Sequence, residues 1–395
     1  MPEAFALVPV TLPTVAWSAG QPVQVPFQNL QALIDGAVAH TVYLDVELNL
    51  DPSYTTAPTN VGHNAAVSEV LINDGEVQLL SGVGFNGQRL FERGFHGGLV
   101  LPDPLTQGGT GNPRCIRRRF FFGPPNMLFA PTDFAKPNAL LSNGGFIQFR
   151  CGALTDISAD CTAATGDVTV TAWQALLLDE VRIPPRVEFK IENYLTGQNL
   201  TQAALYAFFA FINSSSYDAI GAGDFGDIEV KTGIGSPFSA VPVEAITAAF
   251  QADFARGQFD GVMGEPRDAT YDVAMRQANL GSPTAIAAQP ADVQVLTWPS
   301  KDARITKLPW LVPNNLTVRF SGSNTTTQAA YCRFLPLDNN DRAKTLSKVM
   351  AKLPGRVASA INVRLGSKKT TYGGDRLAFL PHRAKLDRTP FVKVG

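Results

Sequence analysis

Apolar and polar residues alternate along residues 41–51, TVYLDVELNLD. The apolar residues occupy every second position: Val42, Leu44, Val46, Leu48 and Leu50. Successive side chains of a β-strand point to opposite faces of a sheet, so this pattern predicts a strand with one buried and one solvated face. The solvated face carries Asp45, Glu47 and Asp51. If these carboxylates bind a metal or transfer protons, the chain is an enzyme; if they only keep the sheet solvated or line an interface, it is a structural protein.

Further stretches with strand-like composition follow in two sets. The first set comprises residues 65–74, 76–82, 117–123, 145–151 and 167–177. The second set comprises residues 186–195, 204–212, 227–233, 292–299, 316–322 and 328–337. Gly, Pro, Asn and Ser clusters separate these stretches, and many of the loops are long. The arrangement is typical of all-β sandwiches with decorated loops.

The two sets are separated by DEVRIPPRVEF at residues 179–189. Two adjacent prolines cannot continue a central strand, so this segment favours a stiff linker. We therefore predict an all-β fold of two tandem jelly-roll β-sandwiches with short inserted helices and a basic C-terminal extension. The expected domains are 1–182, a first jelly roll with an N-terminal arm, 183–340, a second jelly roll, and 341–395, a basic helix and tail.

Helical patterns are few. Residues 27–36 are compatible with a short helix, and residues 243–257 have the spacing of an amphipathic helix inside a loop. Residues 341–355 give the clearest pattern, with one apolar stripe, one lysine stripe and a Pro-Gly stop at the end. The apolar stripe consists of Leu346, Val349, Met350 and Leu353.

The formal net charge of −1 over 395 residues conceals two regions of opposite charge. Residues 341–395 contain 13 of the 33 Lys and Arg residues but only 3 of the 34 Asp and Glu residues. The preceding part of the chain is therefore acidic and the C-terminal extension is basic. This distribution bears on the partners of the protein and not on its fold.

Composition narrows the class of protein. A hydrophobic content of 45% provides for substantial cores and argues against disorder across the body. The N-terminus lacks the features of a signal peptide, and the apolar run at 206–212 is too short to span a membrane, so we expect a soluble protein made in a cytoplasm. The cysteines fit no zinc spacing, and Cys151 and Cys161 are expected to be buried thiols or the two ends of a bridged hairpin.

No catalytic motif is complete. The histidines show no metal-ligand spacing, and GFHGG at 94–98 lacks the accompanying G-x-S-x-G nucleophile turn. QGGTG at 107–111 and GSKKT at 366–370 lack the full phosphate-binding loop. Along an extended strand the carboxylates of 41–51 diverge by about 7 Å per two residues, which does not suit a calcium site. We expect no catalytic residues, metal ligands or cofactor, and we interpret these carboxylates as a solvated or interface-lining face.

Two basic segments are candidates for contacts with partners. Arg117, Arg118 and Arg119 precede three phenylalanines and predict a subunit interface, with a solvated strand end or a grip on single-stranded nucleic acid as alternatives. The extension predicts contact with an anionic membrane or a neighbouring subunit. Its candidate residues are Arg342, Lys344, Lys348, Lys352, Arg356, Arg364, Lys368 and Lys369. Nucleic acid is a weaker alternative, and a helix docked by its apolar stripe on its own sandwich is another.

The chain resembles the double jelly-roll major capsid proteins of tailless, internal-membrane-containing bacteriophages, such as tectiviruses and corticoviruses, and of related archaeal, algal and adenoviral shells. The resemblance covers residues 20–340 and includes HTVYLDVELNL at 40–50 and LLSGVGFNGQRLFERGF at 79–95. It implies a homotrimer whose six sandwiches form a pseudo-hexagonal tile of an icosahedral virion, made in the host cytoplasm. It transfers no active-site residues.

These expectations define a structural function and two alternatives. The expected partners are sister copies in the trimer and the capsid lattice, penton and minor capsid proteins, and an internal membrane through the basic tail. A receptor- or carbohydrate-binding sandwich, such as a spike or adhesin, would be favoured by aromatic platforms on loop tips. An enzyme on a jelly-roll scaffold would need clustered histidines or two facing carboxylates.

Overall fold

The computed structural model describes residues 7–55, 60–96, 114–124, 130–177, 181, 183–194, 199–200, 204–213, 227–232, 235–242, 293–295, 310–312, 316–321, 327–335, 339–355 and 358. The helix predicted at 243–257 lies outside these residues. We refer to the residues before the double proline as the first half and to those after it as the second half.

The first half contains eleven strands among its described residues: β1 Leu7–Thr11, β2 Val15–Ala16, β3 Pro22–Pro26, β4 Leu33–Ile34, β5 Ala37–Ser53, β6 Val67–Asn73, β7 Gln78–Val83, β8 Arg114–Phe121, β9 Lys136–Pro137, β10 Phe146–Cys151 and β11 Ala163–Leu177. The described strands of the second half are β12 Val187–Tyr194, β13 Asn199–Leu200, β14 Ala204–Asn213, β15 Asp227–Thr232, β16 Gly235–Pro242, β17 Val293–Val295, β18 Trp310–Val312, β19 Leu316–Phe320 and β20 Thr327–Phe334.

Short helices are inserted between these strands. The described helices are α1 Asn60–Ala65, α2 Phe85–His96, α3 Asn138–Leu141, α4 Leu154–Ile157 and α5 Asn339–Ala351, with a 3-10 turn at Pro131–Phe134. The last of these, α5, confirms the helix predicted near the C-terminus and begins two residues earlier than expected.

The outer sheet of the first half is built around the long strand β5. Its order is β1-β11-β5-β4, and β2 also pairs with β11 while β8 and β9 pair with β5. Burial alternates along β5 from Val42 to Leu50, as the hydrophobic pattern predicts. Leu44, Val46 and Leu48 are fully buried, so the polar residues between them point away from the core.

A second sheet runs through both halves. Its order is β17-β14-β20-β12-β7-β6-β10-β3, with β18 also paired to β14. The two halves meet where β12 pairs in parallel with β7, placing Phe189 opposite Leu80 and Lys190 opposite Ser81. A smaller sheet of order β13-β19-β15-β16 lies in the second half. The domain boundary at residue 182 stays a prediction, because this sheet crosses it.

The hydrophobic core fills the space between the outer sheet and the shared sheet and continues into the second half. Phe91 of α2 meets Phe189 of β12 edge to face, with ring centroids 5.3 Å apart. Phe134 meets Phe334 of β20 in a tilted arrangement, with ring centroids 6.1 Å apart. Core residues of both halves thus belong to one cluster. The chain is all-β, with two tandem jelly-roll sandwiches and short inserted helices, which confirms the predicted fold class.

The short helix predicted at 27–36 is wrong. Residues 33–34 form strand β4, and Asp35 and Gly36 both have positive φ, 51° and 82°. Two consecutive residues of this kind, with Asp followed by Gly, form the tight turn that connects antiparallel strands, so the chain turns directly into β5. The sequence did not predict helices α1 and α2, which lie beside β8. Asn64 of α1 accepts a hydrogen bond from Arg118, and Gln88 of α2 donates to the carbonyl oxygen of Arg119.

Candidate functional site

The solvated side of β5 is neutralised by arginines of the neighbouring strand β8. The register places Asp45 opposite Arg119 and Glu47 opposite Arg117. Arg119 donates from Nε to Asp45 Oδ1 at 2.6 Å and from Nη2 to Asp45 Oδ2 at 2.7 Å. Arg117 donates from Nε to Glu47 Oε2 at 2.7 Å. Asp45 and Glu47 are therefore held in cross-strand ion pairs.

Aromatic rings surround the Asp45–Arg119 pair. Trp173 of β11 donates from Nε1 to Asp45 Oδ2 at 2.8 Å, and the Arg119 guanidinium lies 4.0 Å from the ring centroid of Tyr43. The Tyr43 ring also packs against Trp173, with centroids 5.9 Å apart. Burial raises the pKa of the Tyr43 hydroxyl above its ordinary value. We call Tyr43, Asp45, Glu47, Arg117, Arg119 and Trp173 the polar face.

The polar face does not have the geometry of a metal or acid–base site. Asp45 accepts three hydrogen bonds from Arg119 and Trp173, and Glu47 accepts from Arg117 and, at 3.3 Å, from Asn49. Within the described residues, no group of three or more His, Cys, Asp or Glu side chains is arranged to hold a metal ion. Asp45 and Glu47 are thus occupied by structural partners.

Arg118 lies on the opposite side of β8 from its two neighbours. Its side chain is fully buried, and it donates to Asn64 of α1 and, at 2.6 Å, to the carbonyl oxygen of Arg117. Of the three arginines predicted at a subunit interface, Arg117 and Arg119 therefore present side chains to the surface and Arg118 does not. Strand alternation in β8 accounts for this division.

A second group of charges lies where the two halves and the C-terminal helix meet. The β6–β7 turn supplies Asp74 and Glu76, β9 supplies Lys136, the segment before β12 supplies Arg186, and α5 supplies Thr345 and Lys348. We call these six residues the junction cluster. The side chains of Asp74, Lys136 and Arg186 have relative exposures of 0%, 1% and 8%, so most of the cluster is removed from water.

Asp74 holds the turn and faces two cations. Its Oδ1 accepts from the backbone N–H groups of Glu76 at 3.1 Å and Val77 at 2.9 Å. Its Oδ2 lies 3.6 Å from Arg186 Nε and 3.8 Å from Lys136 Nζ. Because Lys136 is buried, its pKa is lowered to about 8, although Asp74 opposes this shift. The turn thus positions one carboxylate between two buried cationic groups.

Glu76 connects three elements. It accepts hydrogen bonds from Thr345 Oγ1 at 2.9 Å and from Lys348 Nζ at 2.7 Å, and a close one from Arg186 Nη2. Burial acts to raise the pKa of Glu76, but the bonds from Lys348, Arg186 and Thr345 outweigh it and hold the pKa at about 2. The carboxylate is therefore ionised at neutral pH and joins α5 to the turn and to the segment before β12.

Apolar contacts complete the docking of α5. Val349 of α5 and Leu353, which lies just after the helix, are buried in one cluster. The same cluster contains Val38 of β5, Leu140 of α3 and Val181. The helix thus packs by its apolar stripe on its own chain, as one alternative from the sequence held, but on the first half and not on the sandwich that it follows. Lys344 and Lys352 remain exposed, and Lys348 is partly exposed while it pairs with Glu76.

The remaining candidates of the basic extension are not placed by the structure. The side chain of Arg342, and the whole of Arg356, Arg364, Lys368 and Lys369, lie outside the described residues. Contact of the extension with a membrane or a neighbouring copy stays a prediction. None of the described helices combines the length and apolar content needed to cross a lipid bilayer.

The junction cluster was not anticipated from sequence. Its members are far apart in the chain: Glu76 lies 110 residues from Arg186 and 269 from Thr345. The available signal was the turn sequence Asn73-Asp74-Gly75-Glu76, two carboxylates in a tight acidic loop between strands, opposite in charge to the basic helix. The cysteines are free thiols, and Cys151 and Cys161 are not bridged.

The sequence matches no family model, and no curated protein matches it. Solved structures do match the fold. The crystal structure of the major capsid protein (MCP) of Sulfolobus Turreted Icosahedral Virus (STIV) aligns with a TM-score of 0.50 at 13% sequence identity, covering 85% of this chain and 98% of that one. A chain of the atomic structure of the STIV virion aligns with a TM-score of 0.50 at 14% identity, covering 91% and 97%.

This likeness extends over most of both chains, so the architecture as a whole is shared and not one sandwich alone. It defines the class by fold: this chain is a double jelly-roll protein, similar in architecture to the STIV major capsid protein.

Proposed function

We propose that the protein is a major capsid protein whose copies assemble into an icosahedral shell. The observation that carries this proposal is the double jelly-roll architecture, which is shared with the STIV MCP over 98% of the length of that chain. The occupied carboxylates of the polar face agree with a structural role, since Asp45 and Glu47 are bound by arginines and are not available for chemistry.

The assembly unit is a homotrimer. Each copy contributes two sandwiches joined through one sheet, so three copies around a threefold axis supply six sandwiches of a pseudo-hexagonal tile. Light scattering of the purified full chain tests this: the expected mass is three times the 42.4 kDa of one chain. A monodisperse monomer at high concentration would contradict it.

The polar face is the surface that contacts a sister copy. Trp, Tyr and Arg are enriched at the centres of protein interfaces, and Trp173, Tyr43 and Arg119 lie together here on a sheet face. The charge of Arg119 is already paired with Asp45 within one copy, which lowers the cost of removing water from this arginine in the interface. Arg117 and Arg119 are the arginines that act in this contact.

The basic extension ties the shell to an internal membrane. Lys344 and Lys352 are exposed on α5, and the sequence after Ala358 adds further Lys and Arg residues. A single copy binds an anionic surface weakly, and many copies in a shell bind it firmly. The protein is then a capsid protein of an internal-membrane phage, and penton and minor capsid proteins are its further partners in the shell.

Vesicle sedimentation tests the membrane assignment. The full chain is compared with a chain ending at residue 355 on vesicles that contain or lack anionic phosphatidylserine. Binding of the full chain is expected to require the anionic lipid and to fall as salt is raised. Equal binding to both vesicles, or equal binding of both chains, would contradict the membrane role without affecting the capsid proposal.

A further inference from the structure

The C-terminal helix α5 belongs to the second half by sequence but contacts the first half. It follows β20, a strand that pairs with β12 in the second half. Its apolar residues pack on Val38 of β5 and Leu140 of α3, and its polar residues Thr345 and Lys348 reach Glu76 in the β6–β7 turn. The helix therefore crosses the junction between the two halves.

We propose that α5 is a clamp that holds the two halves together, and that Glu76 is the switch that opens it when its carboxylate becomes neutral. Opening uncovers the apolar surface around Val38, Leu140 and Val181. This inference concerns the fold of one copy and stands independently of the proposed function.

The charges around Glu76 make it the switch. Glu76 pairs with Lys348 of α5 and with Arg186 of the segment before β12. Arg186 also lies beside Asp74 of the same turn, and Asp74 faces Lys136 of β9. With Glu76 ionised, three cationic groups oppose two carboxylates. With Glu76 neutral, Asp74 is the remaining carboxylate of the cluster, and Lys348 loses its ion pair with the first half. Repulsion among the remaining charges then favours departure of the helix, which carries Lys348 away.

The direction of the pH response follows from linkage. The pKa of Glu76 in the folded chain, about 2, lies below its ordinary value of 4.5. The contribution of Glu76 to docking is therefore complete above pH 4.5 and is lost as the pH falls toward 2. The clamp stays closed through neutral and mildly acidic conditions and opens only in strong acid, or at any pH when the carboxylate is removed.

Hydrogen–deuterium exchange of the full chain, corrected for the intrinsic rate at each pH, tests the clamp. In Glu76→Gln, amides of residues 345–353 are expected to lose about tenfold to hundredfold of their protection at pH 7, because hydrogen bonds to a charged group are lost. Amides of β5 should remain protected. The matched control Glu47→Gln removes an ion-paired carboxylate on the polar face and should leave α5 protected.

The pH series gives a second readout. In the wild type, protection of α5 is expected to fall between pH 4.5 and 2 while β5 stays protected, and in Glu76→Gln this dependence disappears. Wild-type protection of α5 in Glu76→Gln at pH 7 would overturn the proposal, as would loss of α5 and β5 together in acid. If Glu76→Gln fails to fold, Lys348→Met replaces it, and unchanged α5 protection in that variant overturns the proposal.

Discussion

Asp45 accepts hydrogen bonds from two neighbouring strands, from Arg119 on β8 and from Trp173 on β11. Its position in an alternating strand already predicts that it lies on the solvated face, but its partners depend on which strands flank β5. The partners of Glu76 are harder still to predict from the sequence, because they come from distant segments of the chain. For a single residue, the sequence thus predicts the face of the sheet on which it lies. Its hydrogen-bond partners depend on the order of the strands and on the docking of distant elements.

Trp173→Ala is expected to weaken self-association, because a central tryptophan at an interface commonly contributes 2 kcal/mol or more. We expect the dissociation constant of the trimer to rise at least about tenfold while circular dichroism shows a folded chain. Sedimentation velocity over a range of concentrations measures the change.

The control for this variant is Gln148→Ala, on the opposite sheet in β10. It should leave association unchanged. If Trp173→Ala associates like the wild type, the polar face is not the subunit contact.

Lys136 gives a prediction about pH. Its pKa of about 8 in the folded chain lies below the ordinary 10.5, so between these values the unfolded chain binds more protons and stability rises with pH. We expect the free energy of unfolding of the wild type to rise by about 2 kcal/mol relative to Lys136→Met between pH 8 and 10. Urea denaturation at each pH measures the free energy of unfolding of the wild type and of Lys136→Met. A difference between the two that stays constant with pH would contradict the lowered pKa of Lys136.

Some elements of the fold follow from the local hydrophobic pattern of the sequence, and others depend on tertiary contacts. Strand β5 and the C-terminal helix were predictable because one hydrophobic period extends over each of them. Helix α2 was missed because Gly87 and Gly94 lower its intrinsic propensity, and burial of Phe85 and Phe91 stabilises it instead. The polar face was partly predictable from alternation and from the arginine run, whereas the junction cluster required the tertiary fold.

The parallel pairing of β7 with β12 depends on one glycine. Gly82 has φ of +67°, and a Cβ there would lie 2.3 Å from the carbonyl oxygen of Ile191 on β12. Gly82→Ala must therefore displace one strand. Gly20 has nearly the same φ, +69°, with open space around it, so Gly20→Ala isolates the backbone cost of about 1 to 2 kcal/mol.

We expect Gly82→Ala to lower the free energy of unfolding by about 2 kcal/mol more than Gly20→Ala, because overpacking against backbone adds to the shared conformational cost. Guanidinium denaturation of both variants measures the difference. Equal losses would show that the β7–β12 contact does not tie the halves together.

At the scale of the molecule, one sheet, one core cluster and the docked helix α5 make the two sandwiches a single unit. Phe91 and Phe134 of the first half contact Phe189 and Phe334 of the second. A unit of this kind can be placed repeatedly in a lattice without internal hinge motion at each contact.

Electron microscopy of the purified full-length chain tests the proposed capsid role most directly. We expect threefold-symmetric particles with six lobes, two from each copy, and at higher concentration sheets of such tiles in contact. Class averages that show only isolated two-lobed particles at every concentration would contradict it.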